Sequence, residues 1–349
     1  MVLIPTAVRV DVSTFNTSTV IIRGEPIRAV RREFLVDFGI QLCQEEFKYA
    51  ELARAFEEIE RMGFNSVWLY DHFYPMIDPT NLSVLECFTA LSALAPQTKN
   101  IRIGALVACN SFRSPSLLAK IGASLDVISS GRLEFGIGAG WYKNEYEAYG
   151  FPFPDALVRL EQLREAVQVI KKLWTEPRAS FEGKYYALRD AISEPKPIQT
   201  PHPPIWIGGS GEKVTLRIVA EFGDYCNLMG SPREFRRKLH TLEKHCSRVR
   251  RSFDHIRKSW HGFLVLVDDR SLTRTTVQAI KSKIPIERTR EMKFDDFVQR
   301  NIVGDKQECM EKIDELVDAG ATYIIPHLFD SASLRLTRAF SREIMPAFK

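Results

Sequence analysis

The chain lacks most of the signatures that assign a protein on sight. No run of eighteen apolar residues occurs, so nothing reads as a membrane-spanning helix. The first residues show no basic stretch followed by an apolar one, so no secretory signal is read there. Six cysteines (Cys43, Cys87, Cys109, Cys226, Cys246 and Cys309) form no C-x-x-C pair. That argues against a zinc ribbon or a disulfide framework and leaves reduced thiols of a cytoplasmic protein as the expectation. A surplus of one charge is also missing. The 48 basic and 44 acidic side chains leave +4, too even to imply nucleic acid. H-E-x-x-H is absent, so no metal site is expected. G-x-S-x-G and G-x-x-x-x-G-K-[ST] are absent too. Gly136, Gly138 and Gly140 come close to a dinucleotide fingerprint, but Trp141 stands where the third glycine belongs.

What is present is a rhythm. Apolar residues make up 45% of the chain and charged residues 26%, an ordinary globular balance. From residue 34 onward, apolar runs alternate with helical periodicity. The runs fall near residues 36–42, 64–72, 101–108, 132–140, 203–209, 224–230, 259–267 and 321–328. Between them lie segments such as KYAELARAFEEIERMG, with Leu52, Phe56 and Ile59 at helical spacing and Gly63 at the C-terminal cap. Ser83 and Glu86 read as a capping box for the next helix. Eight strands alternating with helices in one α/β domain predict a (β/α)8 TIM barrel. Two stretches exceed the rhythm, one after strand 4 and one after strand 7, and read as insertions. Residues 34–349 are read as one domain, and residues 1–33 as a poorly ordered extension outside it.

In such barrels, chemistry sits at the C-terminal ends of the strands. The residues falling there are Gln41, Cys43, Asp71, His72, Cys109, Asn110, Ser111, Ala139, Gly140, Trp141, Gly208, Gly209, Ser210, Gly211, Asn227 and His327. A histidine at that rim suits proton transfer near neutral pH. The competing reading is a loop-bonding imidazole. Gly208–Gly211 runs from a strand into a helix, an arrangement that presents backbone donors to an anion. Its competing reading is a tight turn. Trp141 and Tyr142 are read either as a wall for a planar ring or as loop packing.

Five blocks carry a family resemblance: GFNSVWLYDHFYP, SGRLEFGIGAGWYKNEYEAYGFPFP, FEGKYYAL, EPKPIQTPHPPIWIGGSGEKVTLRIVAEFGDYCN and FSREIMPAF. Over roughly residues 35–349 the chain resembles the bacterial luciferase-like flavin/deazaflavin oxidoreductases, above all those that use coenzyme F420. The resemblance implies a cytoplasmic homodimer that acts on a small organic substrate, with no nucleic-acid or membrane partner. It implies that His72 and Asp71 are catalytic, the aspartate holding the histidine. It places Leu106 and Val107 at a strand-three bulge where the family often has a non-proline cis peptide. It assigns Leu106, Val107, Cys109, Ala139, Gly140, Trp141 and Asn227 to the cofactor, and Gly208, Gly209, Ser210 and Gly211 to its phosphate. Arg113, Lys143, Lys184 and Lys213 are the expected basic partners of an acidic deazaflavin tail. Trp141 stands where some deazaflavin dehydrogenases carry an acidic glutamate. The alternatives are an FMN-dependent monooxygenase and a flavin-binding protein without turnover.

Overall fold

The computed structural model describes residues 21–22, 25–26, 36–76, 82–284, 286–330 and 332–349. Contacts divide the chain into Met1–Phe34 and Leu35–Lys349. The first unit is described only at Ile21–Ile22 and Glu25–Pro26, which pair antiparallel. The poorly ordered extension expected over residues 1–33 therefore lies almost wholly outside the described residues.

The second unit is a closed parallel barrel. Its strands are β1 (Asp37–Gln41), β2 (Ser66–Leu69), β3 (Arg102–Ala105), β4 (Leu133–Gly138), β5 (Ile205–Gly208), β6 (Tyr225–Leu228), β7 (Arg257–Leu266) and β8 (Tyr323–Leu328). Each pairs in parallel with the next, and β8 returns to β1 through Tyr323 opposite Asp37. The predicted (β/α)8 barrel is the observed fold. Strands buried on both faces must be apolar along their length, which is why all six residues of β4 are buried. Aromatic side chains fill the barrel interior below the mouth. Trp206 stacks on Tyr225 at 3.7 Å between ring centroids, and Trp68 meets Trp206 edge-on at 4.7 Å. Gly104 makes room for that layer, since a Cβ there would lie 2.6 Å from the Trp68 ring.

The helices are α1 (Tyr49–Arg61), α2 (Cys87–Leu94), α3 (Pro115–Ile128), α4 (Ala156–Thr175), α5 (Thr215–Phe222), α6 (Pro232–Val249), α7 (Lys306–Asp318) and α8 (Arg335–Glu343). Side-chain caps define several starts. Ser231 with Glu234 and Asp305 with Glu308 form capping boxes on α6 and α7. The predicted box on α2 is different: Glu86 is itself the N-cap and accepts from the Thr89 amide, while Ser83 lies outside. A carboxylate caps as well as a hydroxyl, and the helix starts three residues later than read. Between β4 and β5 lie a short helix (Lys143–Ala148), α4 and an antiparallel hairpin (Ala179–Glu182 with Ala187–Ala191). After β7 come helices at Thr273–Lys283, Glu287–Arg290 and Phe294–Arg300, packed over Val265, Val277, Ile284 and Phe297. Among the described residues no helix is long and apolar enough to cross a membrane.

Candidate active site

A cavity of about 380 Å³ opens at the C-terminal ends of the strands. That is the size of a small-molecule site. Of the thirteen residues proposed for the site, twelve line it: Asp71, His72, Leu106, Val107, Cys109, Ala139, Gly140, Trp141, Gly208, Gly209, Ser210 and Asn227. Gly211 lies outside, its carbonyl accepting from the Leu216 amide in the first turn of α5. The helix begins at Thr215, later than read, because Gly211 to Val214 form a turn before it.

The Leu106–Val107 peptide is cis. The Val107 side chain occupies space left by three glycines. A Cβ on Gly136, Gly138 or Gly208 would lie 3.0, 2.8 or 2.8 Å from it. The spaced glycines of β4 therefore accommodate a projecting valine. Gly140 has φ +76, and a Cβ there would collide with Tyr146 and Cys109. This turn accepts only glycine without rearrangement.

Asp71 does not hold His72. Its carboxylate takes a bidentate pair from Arg113 at 2.8 and 3.0 Å, and the Cys109 amide at 2.8 Å. Asp71 is buried, whereas His72 is partly exposed. Burial pushes the Asp71 carboxyl above its ordinary range, against the pull of Arg113. The partner of His72 is Glu145, from the short helix after β4. Its Oε2 lies 2.8 Å from His72 Nδ1. Its Oε1 accepts from the Phe73 amide and from the Tyr74 amide at 3.0 Å. As a carboxylate Glu145 can only accept from His72, which places the proton of a neutral imidazole on Nδ1. Nε2 is then the ring nitrogen with the lone pair.

The predicted basic rim is mostly occupied elsewhere. Arg113 pairs with Asp71 and Glu86, Lys143 with Glu147 at 3.2 Å, and Lys184 with Glu161 at 3.3 Å. Trp141 is half exposed, 5.8 Å from the His72 ring and edge-on to it.

A second polar cluster lies beside the cavity, and its hydrogen positions can be deduced. Gln41 Nε2 donates to the Leu106 carbonyl at 3.0 Å, since a carbonyl can only accept. Gln41 Oε1 must then accept from His261 Nε2 at 2.7 Å and from His327 Nδ1 at 3.1 Å. His327 Nε2 is left to accept from the Cys43 thiol at 3.0 Å. Among these groups His261 lines the cavity; Gln41, Cys43 and His327 do not. Burial lowers His261 to about 4 and His327 to about 3, so both are neutral. Unfolded imidazoles titrate at about 6.5. The unfolded chain therefore binds protons that the folded one refuses as pH falls below that value. Stability from these groups is complete above pH ~6.5 and is lost toward pH ~4, by up to about 1.4 kcal/mol per pH unit for each histidine. Urea unfolding between pH 4 and 8 should show a shallower acid slope for His327→Met than for wild type. Equal slopes would remove His327 from this account.

Glu145, Tyr146, Arg159, Thr215 and His261 also line the cavity, and sequence reasoning missed them. His261 had a usable signal, being a polar residue two positions from Ser259 on an apolar strand. Glu145 had none, because KNEYEA reads as a solvated helix.

The description of the luciferase-like monooxygenase family matches residues 34–323. The chain belongs to that family. It is 30% identical to the F420-dependent glucose-6-phosphate dehydrogenase of Kineococcus radiotolerans over 332 residues, 89% of this chain and 96% of that protein. It is 34% identical to the FMNH2-dependent dimethylsulfone monooxygenase of Pseudomonas putida over 125 residues, 36% of this chain and 34% of that protein. The fold is that of the coenzyme F420 dependent tetrahydromethanopterin reductase of Methanopyrus kandleri. There the TM-score is 0.76 at 23% identity, covering 90% of this chain and all of that one. The cavity of this luciferase-like protein thus lies where a (β/α)8 enzyme carries its chemistry.

Proposed function

We propose that this luciferase-like protein is an F420-dependent oxidoreductase acting on a small organic substrate, with His72 exchanging the proton that accompanies hydride transfer. The observation that carries the proposal is the fixed imidazole: Nδ1 is tied to buried Glu145, and the ring borders the same cavity as the glycine turn. The relative aligned over nine-tenths of the chain is named for F420, whereas the FMNH2-dependent one aligns over about a third.

The residues fit such a cofactor. Leu106, Val107, Ala139, Gly140 and Trp141 would hold its flat ring system, and Gly208, Gly209, Ser210 and Thr215 its phosphate. When bound, the deazaflavin supplies a ring carbon that gives or accepts hydride. The protein orients the reactants and manages the proton. His72 Nε2 takes the proton that leaves an oxygen when the adjacent carbon is oxidised, or returns it in the reverse direction. Glu145 keeps the ring in the tautomer that can do so. The wall around His72 is aromatic: Tyr70, Trp141 and Tyr142 have ring centroids 5.5, 5.8 and 6.1 Å away. That wall suits an uncharged organic substrate better than a sugar phosphate.

Cofactor choice is tested by competition between reduced F420 and reduced FMN. Tighter F420 binding supports the proposal. Preference for FMN with oxygen consumed during turnover would establish a monooxygenase instead. The phosphate turn has its own test. Gly209 has φ +125, and a Cβ there would approach Thr215 Cγ2 at 3.2 Å. Gly209→Val should weaken cofactor binding at least tenfold, about 1.4 kcal/mol, as read by titrating cofactor fluorescence. Unchanged affinity would take the turn out of the site.

A further inference from the structure

We infer that Arg159 is the cationic ligand of the cofactor's phosphate, completing a site that the glycine turn alone leaves unneutralised; the inference rests on the phosphorylated-cofactor reading above. Arg159 lies in the first turn of α4 and is only 8% exposed. Its guanidinium sits 4.0 Å over the Phe153 ring, and Nη1 donates to the Pro154 carbonyl. Nε is buried with no hydrogen-bond partner among the described residues. No ion pair joins Arg159 to any described carboxylate, unlike its helix neighbour Arg164, which pairs with Glu221 at 2.6 Å. A buried cation without a counter-ion is costly, and a ring face and one carbonyl offset only part of that cost. The missing partner is an anion.

Topology says where that anion belongs. α4 and α5 both run back from the C-terminal ends of neighbouring strands, so they are parallel. The Arg164–Glu221 pair sets their register. Five residues earlier on α4, about 7.5 Å up the helix, Arg159 comes level with Leu216. That is the first turn of α5, directly after the glycine turn. Arg159 and Gly208, Gly209, Ser210 and Thr215 all line the one cavity. Backbone donors at the turn and a planar guanidinium beside it make a two-sided phosphate clamp. The apolar bed of Phe153 keeps the cation poorly hydrated and ready for the ligand.

The test compares ligands with and without the phosphate: FMN against riboflavin, which differ by that group alone, and F420 against its deazariboflavin, which lacks both phosphate and tail. Binding is followed by fluorescence on wild type, Arg159→Met and Arg159→Lys. Arg159→Met should weaken the phosphorylated ligand about ten- to a hundredfold, the range of a charge-assisted hydrogen bond, and change the unphosphorylated ligand less than twofold. Arg159→Lys should recover part of the loss, as it restores charge without the planar fork. Equal loss for both ligands of a pair would mark Arg159 as a packing residue and overturn the inference, as would no loss for either. If wild type binds none of the cofactors, the proposed function falls, and inorganic phosphate then decides Arg159. It should raise the melting temperature of wild type more than that of Arg159→Met, and equal shifts overturn the inference.

Discussion

Replacing His72 with alanine is expected to slow turnover by roughly 100- to 10,000-fold, the usual contribution of a positioned acid or base. Cofactor affinity should stay within a fewfold of wild type. The reasoning is geometric. His72 borders the cavity, its Nδ1 is held at 2.8 Å by Glu145, and Nε2 is the ring nitrogen free to exchange a proton. The residues proposed to hold the phosphate lie on β5, α5, the turn between them and α4, so removing the imidazole touches none of them. Single-turnover absorbance of the cofactor separates rate from affinity. A parallel loss of both would make His72 a cofactor ligand and end its role as proton carrier.

The fold was legible in the sequence because a parallel barrel writes itself plainly. Strands covered on both faces are apolar runs, and the joints after α1, α3, α5 and α7 end in glycine or glycine-terminated turns at Gly63, Gly131, Gly223 and Gly320. The rim was legible for the same reason, since a strand's end is easy to find. What the strand ends do to one another was not. Asp71 and His72 are adjacent in sequence and look like a pair, yet each finds its own partner far along the chain, Arg113 and Glu145. The glycines at 136 and 138 resemble a phosphate cradle, and their spacing instead admits Val107 from the turn after β3. Arg159 and Glu145 sit in stretches rich in charge, where periodicity suggests a solvated face. Only packing shows that both are turned inward, with side chains almost wholly buried.

Glu145→Gln is the sharper experiment, because it changes no shape. The amide oxygen of glutamine can still accept from the Phe73 and Tyr74 amides, so the loop after β2 should keep its place. The amide nitrogen then faces His72 Nδ1 and must donate to it. That donation forces the neutral imidazole to carry its proton on Nε2, leaving no lone pair toward the cavity. A base that begins protonated on its working nitrogen cannot take a proton, so substrate oxidation should fall about 100- to 10,000-fold. The melting temperature and cofactor affinity should barely move. Glu145→Ala provides the contrast: it orphans two amide donors and the Nδ1 proton, so it should also destabilise the fold by about 1–3 kcal/mol for each buried group left unpaired. Glu145 is thus a positioning residue whose effect passes through the histidine tautomer. The discriminating readout is nitrogen NMR of the His72 ring. The proton should move from Nδ1 to Nε2 in Glu145→Gln, and an unchanged tautomer accompanied by lost activity would show that the carboxylate acts by another route.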